Sequence, residues 1–216
     1  MMTVWREHAA TWWDALLHPQ RAGQLVLSQE KTGLNLFFVF TVVLLYGMYG
    51  FCMGLFNGSL AAVVSAMKLP FLYMATGLIS FPAFYVLSCV FGPRLQRGQC
   101  IRLLLLASSS NAVALASYAP INLFFTLTTS NHGYLFLSLM HVGVFAVSGV
   151  ISVVVIVFVF RAVAESVKRR ITWAVAVLWG VLYGFVGTEM AWVLRPWIGW
   201  WNEPYTPFRP LERSFI

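Results

Sequence analysis

Two groups of polar residues inside apolar stretches are where this chain could do chemistry. His141 could ligate a haem iron or a chlorophyll magnesium, or carry protons. Ser108, Ser109, Ser110 and Asn111 form a polar cluster that could bind a polar substrate or an ion. Polar residues at such depth also form hydrogen bonds between helices, and the sequence favours that structural role for both groups. No second histidine lies in an apolar stretch, which excludes bis-histidine haem within the chain.

The sequence holds no motif of a soluble catalytic centre: no P-loop, no GxSxG, no HExxH and no His/Cys set at metal-ligand spacing. Counted along their stretches, the serines and His141 fall on opposite halves of a membrane, which disfavours a Ser/His nucleophile pair. We therefore expect a protein that is not an enzyme. The sequence indicates no cofactor, and lipids are the expected ligands.

Composition places the chain in a membrane. Of its 216 residues, 60% are hydrophobic and 10% are charged, and the mean hydropathy is +0.78. Soluble domains are about 25% charged. These values exclude a water-soluble globule, a disordered chain and nucleic-acid binding as a main role. The net charge of +7 is instead typical of basic loops beside anionic headgroups.

Five apolar segments are long enough to cross a bilayer, which takes about 20 residues of helix. Lipid offers no hydrogen-bond partners and the segments do not alternate as barrel strands do, so helices are predicted. The predicted fold is an all-α polytopic membrane bundle with an N-terminal interfacial helix. The spans are residues 34–56, 70–91, 101–127, 134–160 and 171–194. They divide the chain into an N-terminal segment (1–33), a five-span bundle (34–194) and a C-terminal arm (195–216).

The distribution of Lys and Arg predicts the orientation. Ten of the fourteen lie on the side of the N-terminus and four on the other side. The positive-inside rule then places the N-terminus in the cytoplasm and the C-terminus outside, as an odd number of spans requires. Compact loops and the lack of a transit peptide favour a bacterial inner membrane.

The N-terminal segment is predicted to contain an amphipathic helix over residues 3–17, ended by His18-Pro19. Trp5, Trp12 and Trp13 share one side of it. Tryptophan-rich helices of modest charge lie flat among lipid headgroups, which is the favoured interpretation. The alternative is packing against loops of this chain or against a partner.

Two further segments are predicted to lie outside the spans. Residues 59–68 read as a short helix in the outer interface, where Lys68 would snorkel upward before Pro70 opens the second span. The arm 195–216 holds four prolines, and its Trp197, Trp200 and Trp201 would form an aromatic belt or dock on a partner.

Small residues and prolines mark the spans themselves. Glycines three or four residues apart allow helices to approach closely, within the chain as the favoured case or between subunits. They are Gly47, Gly50 and Gly54 in the first span and Gly180 and Gly184 in the fifth. Pro82 and Pro120 are predicted to break or kink the second and third spans.

The predicted topology resembles that of the Yip-type membrane proteins, the Rab-interacting family of the secretory pathway. The resemblance covers residues 31–194 and includes Lys68-x-Pro70 and Pro82-x-x-Tyr85. The family's characteristic acidic-Leu-Tyr-Gly-Pro stretch is absent, and Tyr46-Gly47 is the fragment nearest to it. The resemblance implies membrane organisation and complex formation. The stretch MAWVLRP, residues 190–196, is also similar to the tails of uncharacterised bacterial multispan proteins.

Taken together, the sequence predicts a non-enzymatic subunit or scaffold of a larger membrane complex. Its partners would be membrane lipids and other membrane subunits, or copies of itself, and not nucleic acid. One alternative is a transporter of small solutes or ions that uses Asn111 and His141. Another is a membrane subunit that binds a pigment or haem through His141.

Overall fold

The computed structural model describes residues 2–28, 32–91, 95–129, 133–163 and 169–197. The described part of the chain forms seven α-helices, and five of them, α3 to α7, are long and apolar enough to cross a membrane. The all-α membrane bundle predicted from the sequence is therefore confirmed. The helices are α1 (Met2–Leu17), α2 (Pro19–Leu27), α3 (Thr32–Gly54), α4 (Ser59–Phe91), α5 (Arg97–Thr128), α6 (Tyr134–Val163) and α7 (Arg169–Val193).

The separate interfacial segment predicted at residues 59–68 is wrong. This stretch is the first part of α4, which continues without interruption for 33 residues. Ala61 and Ala62 are fully buried, and the Lys68 side chain is buried as well. The hydropathy pattern ends at Lys68 because a lysine in lipid is costly. In the structure the ammonium group of Lys68 has hydrogen-bond partners inside the protein, so α4 continues through this position.

Prolines do not end the helices that contain them. Pro70 and Pro82 lie inside α4, and Pro120 lies inside α5. A proline removes one backbone N–H, and tertiary packing in membrane helices tolerates that loss. A break at Pro82 or Pro120 is therefore wrong, whereas a kink at either residue stays a prediction.

The five long helices close into a ring. α3 contacts α4 and α5, α6 contacts α5 and α7, and α7 contacts α4; α4 and α5 also touch. Long aromatic side chains fill the space between helices that are not neighbours around this ring. The ring centroids of Tyr73 and Phe145 are 6.5 Å apart, and those of Phe84 and Phe160 are 5.8 Å apart. Both pairs join α4 to α6.

Glycines set the distance between α3 and α4. A Cβ atom at Gly50 would lie 2.5 Å from the carbonyl oxygen of Ser65, and one at Gly54 would lie 2.6 Å from the Cα of Ala62. Gly47 is also in this contact, facing the backbone of Ala66 at 3.4 Å. Larger residues would push the two helices apart.

Gly180 and Gly184, the two glycines of α7 predicted to allow close packing, differ from each other. A Cβ atom at Gly180 would lie 2.7 Å from a methyl carbon of Val153 in α6, so this glycine packs within the chain. Gly184 has nothing within 4 Å of its Cβ position. It lies on an outward side of α7 beside the exposed residues Val181 and Phe185.

The two short helices α1 and α2, which together we call the hairpin, pack on the end of the bundle where α3, α5 and α7 begin, and this end is called the hairpin end. The opposite end is called the far end. At the hairpin end, Ala22 and Val26 of α2 are buried, and a Cβ atom at Gly23 would lie 2.9 Å from the Cβ of Ala162 in α6. Arg21 of α2 forms an ion pair with Asp14 of α1, and its hydrogen bond lowers the pKa of the Asp14 carboxyl. α1 and α2 are thus tied to each other and to the bundle.

Candidate functional site

Two tyrosines of α3 organise the buried polar groups of the bundle. Tyr46 and Tyr49 are three residues apart, a spacing that places both on one face of the helix. Both side chains are fully buried. A buried tyrosine needs a partner for its hydroxyl group, and each of these two finds it on a different helix.

Tyr46 is the partner of the predicted polar cluster. Its hydroxyl lies 3.1 Å from Oδ1 of Asn111 and 3.1 Å from the carbonyl oxygen of Ser108, both on α5. Its ring stacks on Tyr73 of α4, with centroids 4.1 Å apart and planes 8° from parallel. The Tyr46 side chain therefore links α3 to both of its neighbours in the ring.

Two serines of this cluster, Ser109 and Ser110, direct their hydroxyl groups to the backbone of their own helix and not to a common pocket. Ser109 donates to the carbonyl oxygen of Leu105, and Ser110 donates to that of Leu106, both one turn earlier in the same helix. Such bonds satisfy a hydroxyl inside an apolar helix. The side chain of Asn111 reaches another helix, through its hydrogen bond with the Tyr46 hydroxyl group.

His141 is bound to the second tyrosine. Its Nδ1 atom lies 2.8 Å from the hydroxyl oxygen of Tyr49, across the ring of helices from α6 to α3. A neutral imidazole protonated at Nε2 accepts the hydroxyl proton at Nδ1. The side chain is only 4% exposed and also contacts the ring of Phe145. A pigment or haem macrocycle could therefore reach it only after these aromatic rings had moved.

Lys68 is buried at the far end, where snorkelling towards water was predicted. Only 4% of the residue is exposed, so that prediction is wrong. Its Nζ atom donates to the carbonyl oxygens of Leu194 at 2.9 Å and Pro196 at 3.2 Å. The Leu194 carbonyl directly follows the last turn of α7, where a helix leaves acceptors without partners, and Pro196 lies two residues further on. The lysine of α4 therefore caps α7.

The chain beyond α7 is held by two further bonds. Ser65 of α4 donates to the carbonyl oxygen of Trp197 at 3.0 Å, and Nε1 of Trp197 donates to the carbonyl oxygen of Ala191 at 2.8 Å. Trp197 thus folds back on α7. Trp200 and Trp201 lie outside the described residues.

Arg102 plays the same part at the hairpin end. This arginine of α5 is buried, and its Nη1 atom donates to the carbonyl oxygen of Leu25 and to Oγ of Ser28, each at 3.0 Å. It also donates to the carbonyl oxygen of Ser28. These acceptors lie at the C-terminal end of α2. The charge count places Arg102 on the side of the N-terminus, and its sequence position predicts no structural partner for it.

The tryptophans of α1 do not act as one face. Trp5 and Trp13 are exposed, whereas Trp12 between them is partly buried and packs against the core at the hairpin end. Trp12 and Trp13 follow each other in sequence, so they point about 100° apart around a helix. The helix over residues 3–17 is confirmed, but its apolar surface divides between the bundle and the outside.

These contacts define an all-α polytopic membrane protein whose buried polar side chains join its helices to one another. Comparisons with models of known protein families, with curated protein sequences and with solved structures find no match.

Proposed function

We propose that this protein is a non-enzymatic subunit or scaffold of a larger membrane assembly. One observation supports the proposal most directly. The two side chains best suited to a solute site, Asn111 and His141, are each bound to a buried tyrosine of α3. Groups that join helices stabilise one arrangement of the bundle. A bundle held in one arrangement by its interior polar groups has a fixed outer surface, to which other membrane proteins can bind.

The outer surface offers a place for helix contacts. Gly184 of α7 and Gly143 of α6 are exposed and have open space at their Cβ positions. Exposed glycines let a neighbouring helix approach closely, and in lipid such packing drives association. The resemblance to Yip-type proteins implies complex formation too. We place the hairpin end in the cytoplasm, on the strength of the charge count, and the protein in a bacterial inner membrane.

The test is the mass of the particle in its native lipid. The protein is extracted with a membrane-solubilising copolymer and weighed by native mass spectrometry. We expect a fixed multiple of the 24.3 kDa chain, or a complex of fixed stoichiometry with other membrane proteins. A particle that contains one chain and lipid alone would contradict the proposal.

A matched pair of variants locates the contact. Gly184→Leu fills the open surface of α7, and Gly77→Leu fills open space on α4. We expect Gly184→Leu to reduce the mass to that of smaller particles, and Gly77→Leu to leave it unchanged. Equal behaviour of the two variants would mean that α7 is not the contact surface.

In the transport alternative, Asn111 and His141 would have to leave Tyr46 and Tyr49 to meet a solute. Solute flux into reconstituted vesicles that is abolished by Asn111→Leu would support transport and contradict the scaffold proposal. Flux that is absent, or unchanged in this variant, counts against transport through this residue.

A further inference from the structure

The helix α1 carries three stripes of different chemistry, which begin at the consecutive residues Arg6, Glu7 and His8. The inward stripe faces the bundle, and its members His8, Trp12 and Ala15 are partly or fully buried. The residues of the two other stripes are exposed on the surface of the protein, except Asp14, which is half-buried. Each follows the i, i+4, i+7 spacing that places residues on one side of a helix.

The first outer stripe is apolar with one cation. It consists of Arg6, Ala10, Trp13 and Leu17, which are all exposed, Trp13 by 52% and Leu17 by 58%. We call this stripe the apolar face of α1. An exposed tryptophan, an exposed leucine and an arginine on one side of a helix are typical of helices that lie in a membrane interface.

The second outer stripe is polar and acidic. It consists of Glu7, Thr11 and Asp14, and the last of these is the carboxylate paired with Arg21. We call this stripe the acidic face of α1. Carboxylates are repelled by anionic headgroups and are strongly hydrated, so this face belongs in water.

The contact of Trp5 with α3 fixes which way the apolar face points. Trp5 lies between the inward stripe and the apolar face, and its ring is 5.5 Å from that of Phe37 and 5.9 Å from that of Phe40. Phe40 is 57% exposed on the outer side of α3, a helix long and apolar enough to span the bilayer. The apolar face of α1 therefore continues the lipid-facing surface of α3.

We propose that the apolar face of α1 binds the surface of the bilayer at the hairpin end, with Trp13 and Leu17 among the acyl-chain boundary and Arg6 at the headgroups. The acidic face then points to water. Arg102 and the buried face of α2 hold the hairpin in this orientation. The proposed occupant is lipid, not a second protein, because the face is continuous with the exposed apolar side of α3, a helix long and apolar enough to span the bilayer.

The adjacent exposed residues Ala10 and Thr11 provide a matched test, since they lie on the apolar and the acidic face respectively. Each is changed to cysteine and labelled with a nitroxide in vesicles of phosphatidylcholine and phosphatidylglycerol, with the unchanged protein as the background for the native thiols. Oxygen collides most with labels in lipid, and a water-soluble nickel chelate collides most with labels in water. We expect the oxygen-to-nickel collision ratio to be several-fold higher for Ala10→Cys than for Thr11→Cys.

Two results would overturn the proposal. Equal ratios at the two positions would show that α1 does not lie with its apolar face in lipid. A label at Ala10→Cys that neither reagent reaches would show that protein covers the face.

A second measurement needs no label. Brominated lipids quench tryptophans that lie in the bilayer, so Trp13→Phe should remove more of the quenching than Trp12→Phe does. Equal losses in the two variants would again contradict the proposal.

Discussion

The ammonium group of Lys68 lies 2.9 Å from the carbonyl oxygen of Leu194, just beyond the last turn of α7. Arg102 makes the equivalent contact at the hairpin end, 3.0 Å from the carbonyl oxygen of Leu25 in α2. The last four carbonyls of a helix have no partners within it, and that end of the helix dipole is negative. Each buried cation thus satisfies the end of a helix other than its own, which explains how it is tolerated in the bundle.

Replacing Lys68 with methionine should destabilise the bundle. The apolar side chain keeps most of the volume but leaves the carbonyl oxygens of Leu194 and Pro196 without this donor. Hydrogen bonds to charged groups contribute roughly 1.5–3 kcal/mol, so we expect the free energy of unfolding to fall by about 2 kcal/mol. Titration of the detergent-solubilised protein with a denaturing detergent measures this change.

Arg97→Met is the control for this variant, because Arg97 is an exposed cation at the start of α5. Surface substitutions usually change stability by less than about 0.5 kcal/mol. If Lys68→Met were as stable as Arg97→Met, the capping role of Lys68 would be wrong.

Replacing Arg102 with leucine should loosen the hairpin without unfolding the five long helices. The substitution removes the bonds to Leu25 and Ser28 that close the end of α2. We expect backbone amides of α2 to exchange with deuterium at least about tenfold faster, since about 1.4 kcal/mol of lost local stability corresponds to one factor of ten. Exchange followed by mass spectrometry measures the rates peptide by peptide.

Arg97→Leu removes a cation from the same helix and should leave exchange in α2 unchanged. Uniformly faster exchange throughout Arg102→Leu would show that the arginine supports the whole bundle and not the hairpin alone. Unchanged exchange in α2 would mean that Arg102 does not hold it.

The number and nature of the spans could be predicted because the bilayer imposes them locally. About 20 consecutive apolar residues must be helical to cross it, whatever the rest of the chain does. The helix over residues 3–17 was also predictable, since amphipathic spacing continues up to His18-Pro19. These features depend on near neighbours in sequence.

Partners distant in sequence could not be predicted. Hydropathy treats Lys68 as a cost wherever it occurs, but its acceptors lie 126 and 128 residues further along the chain. Because these acceptors are not visible to hydropathy, the second span is predicted to begin at Pro70, whereas the helix begins at Ser59. The partner of Asn111 is Tyr46, 65 residues away, and one chain alone does not indicate which tyrosine a buried amide meets.

The glycines offer a direct test of packing, because two of them differ only in their surroundings. A Cβ atom at Gly50 would lie 2.5 Å from a backbone oxygen of α4, whereas Gly77 has nothing within 4 Å. Backbone cannot move aside as a side chain can, so Gly50→Ala should cost about 1–3 kcal/mol through overpacking. Gly77→Ala should be neutral, or stabilising by up to about 1 kcal/mol through helix propensity. The same denaturation titration compares the two.

Similar stabilities for Gly50→Ala and Gly77→Ala would mean that α3 and α4 do not approach as closely as the structure shows. A marked loss in Gly77→Ala alone would point to a contact at that open position with another chain.

The Tyr49–His141 hydrogen bond should have a measurable coupling energy. Tyr49→Phe removes the hydroxyl group, His141→Phe removes Nδ1, and the double variant lacks both. Interhelical hydrogen bonds in membrane proteins average about 0.6 kcal/mol and reach about 1.7 kcal/mol, so the coupling should lie in that range. Unfolding of the four proteins under identical conditions gives it as the departure from additivity.

The control cycle pairs Tyr46→Phe with His141→Phe, because the Tyr46 hydroxyl binds α5 and not α6, and its coupling should be smaller. Equal coupling in both cycles would show that the energy comes from general packing of the α3 tyrosines and not from this hydrogen bond.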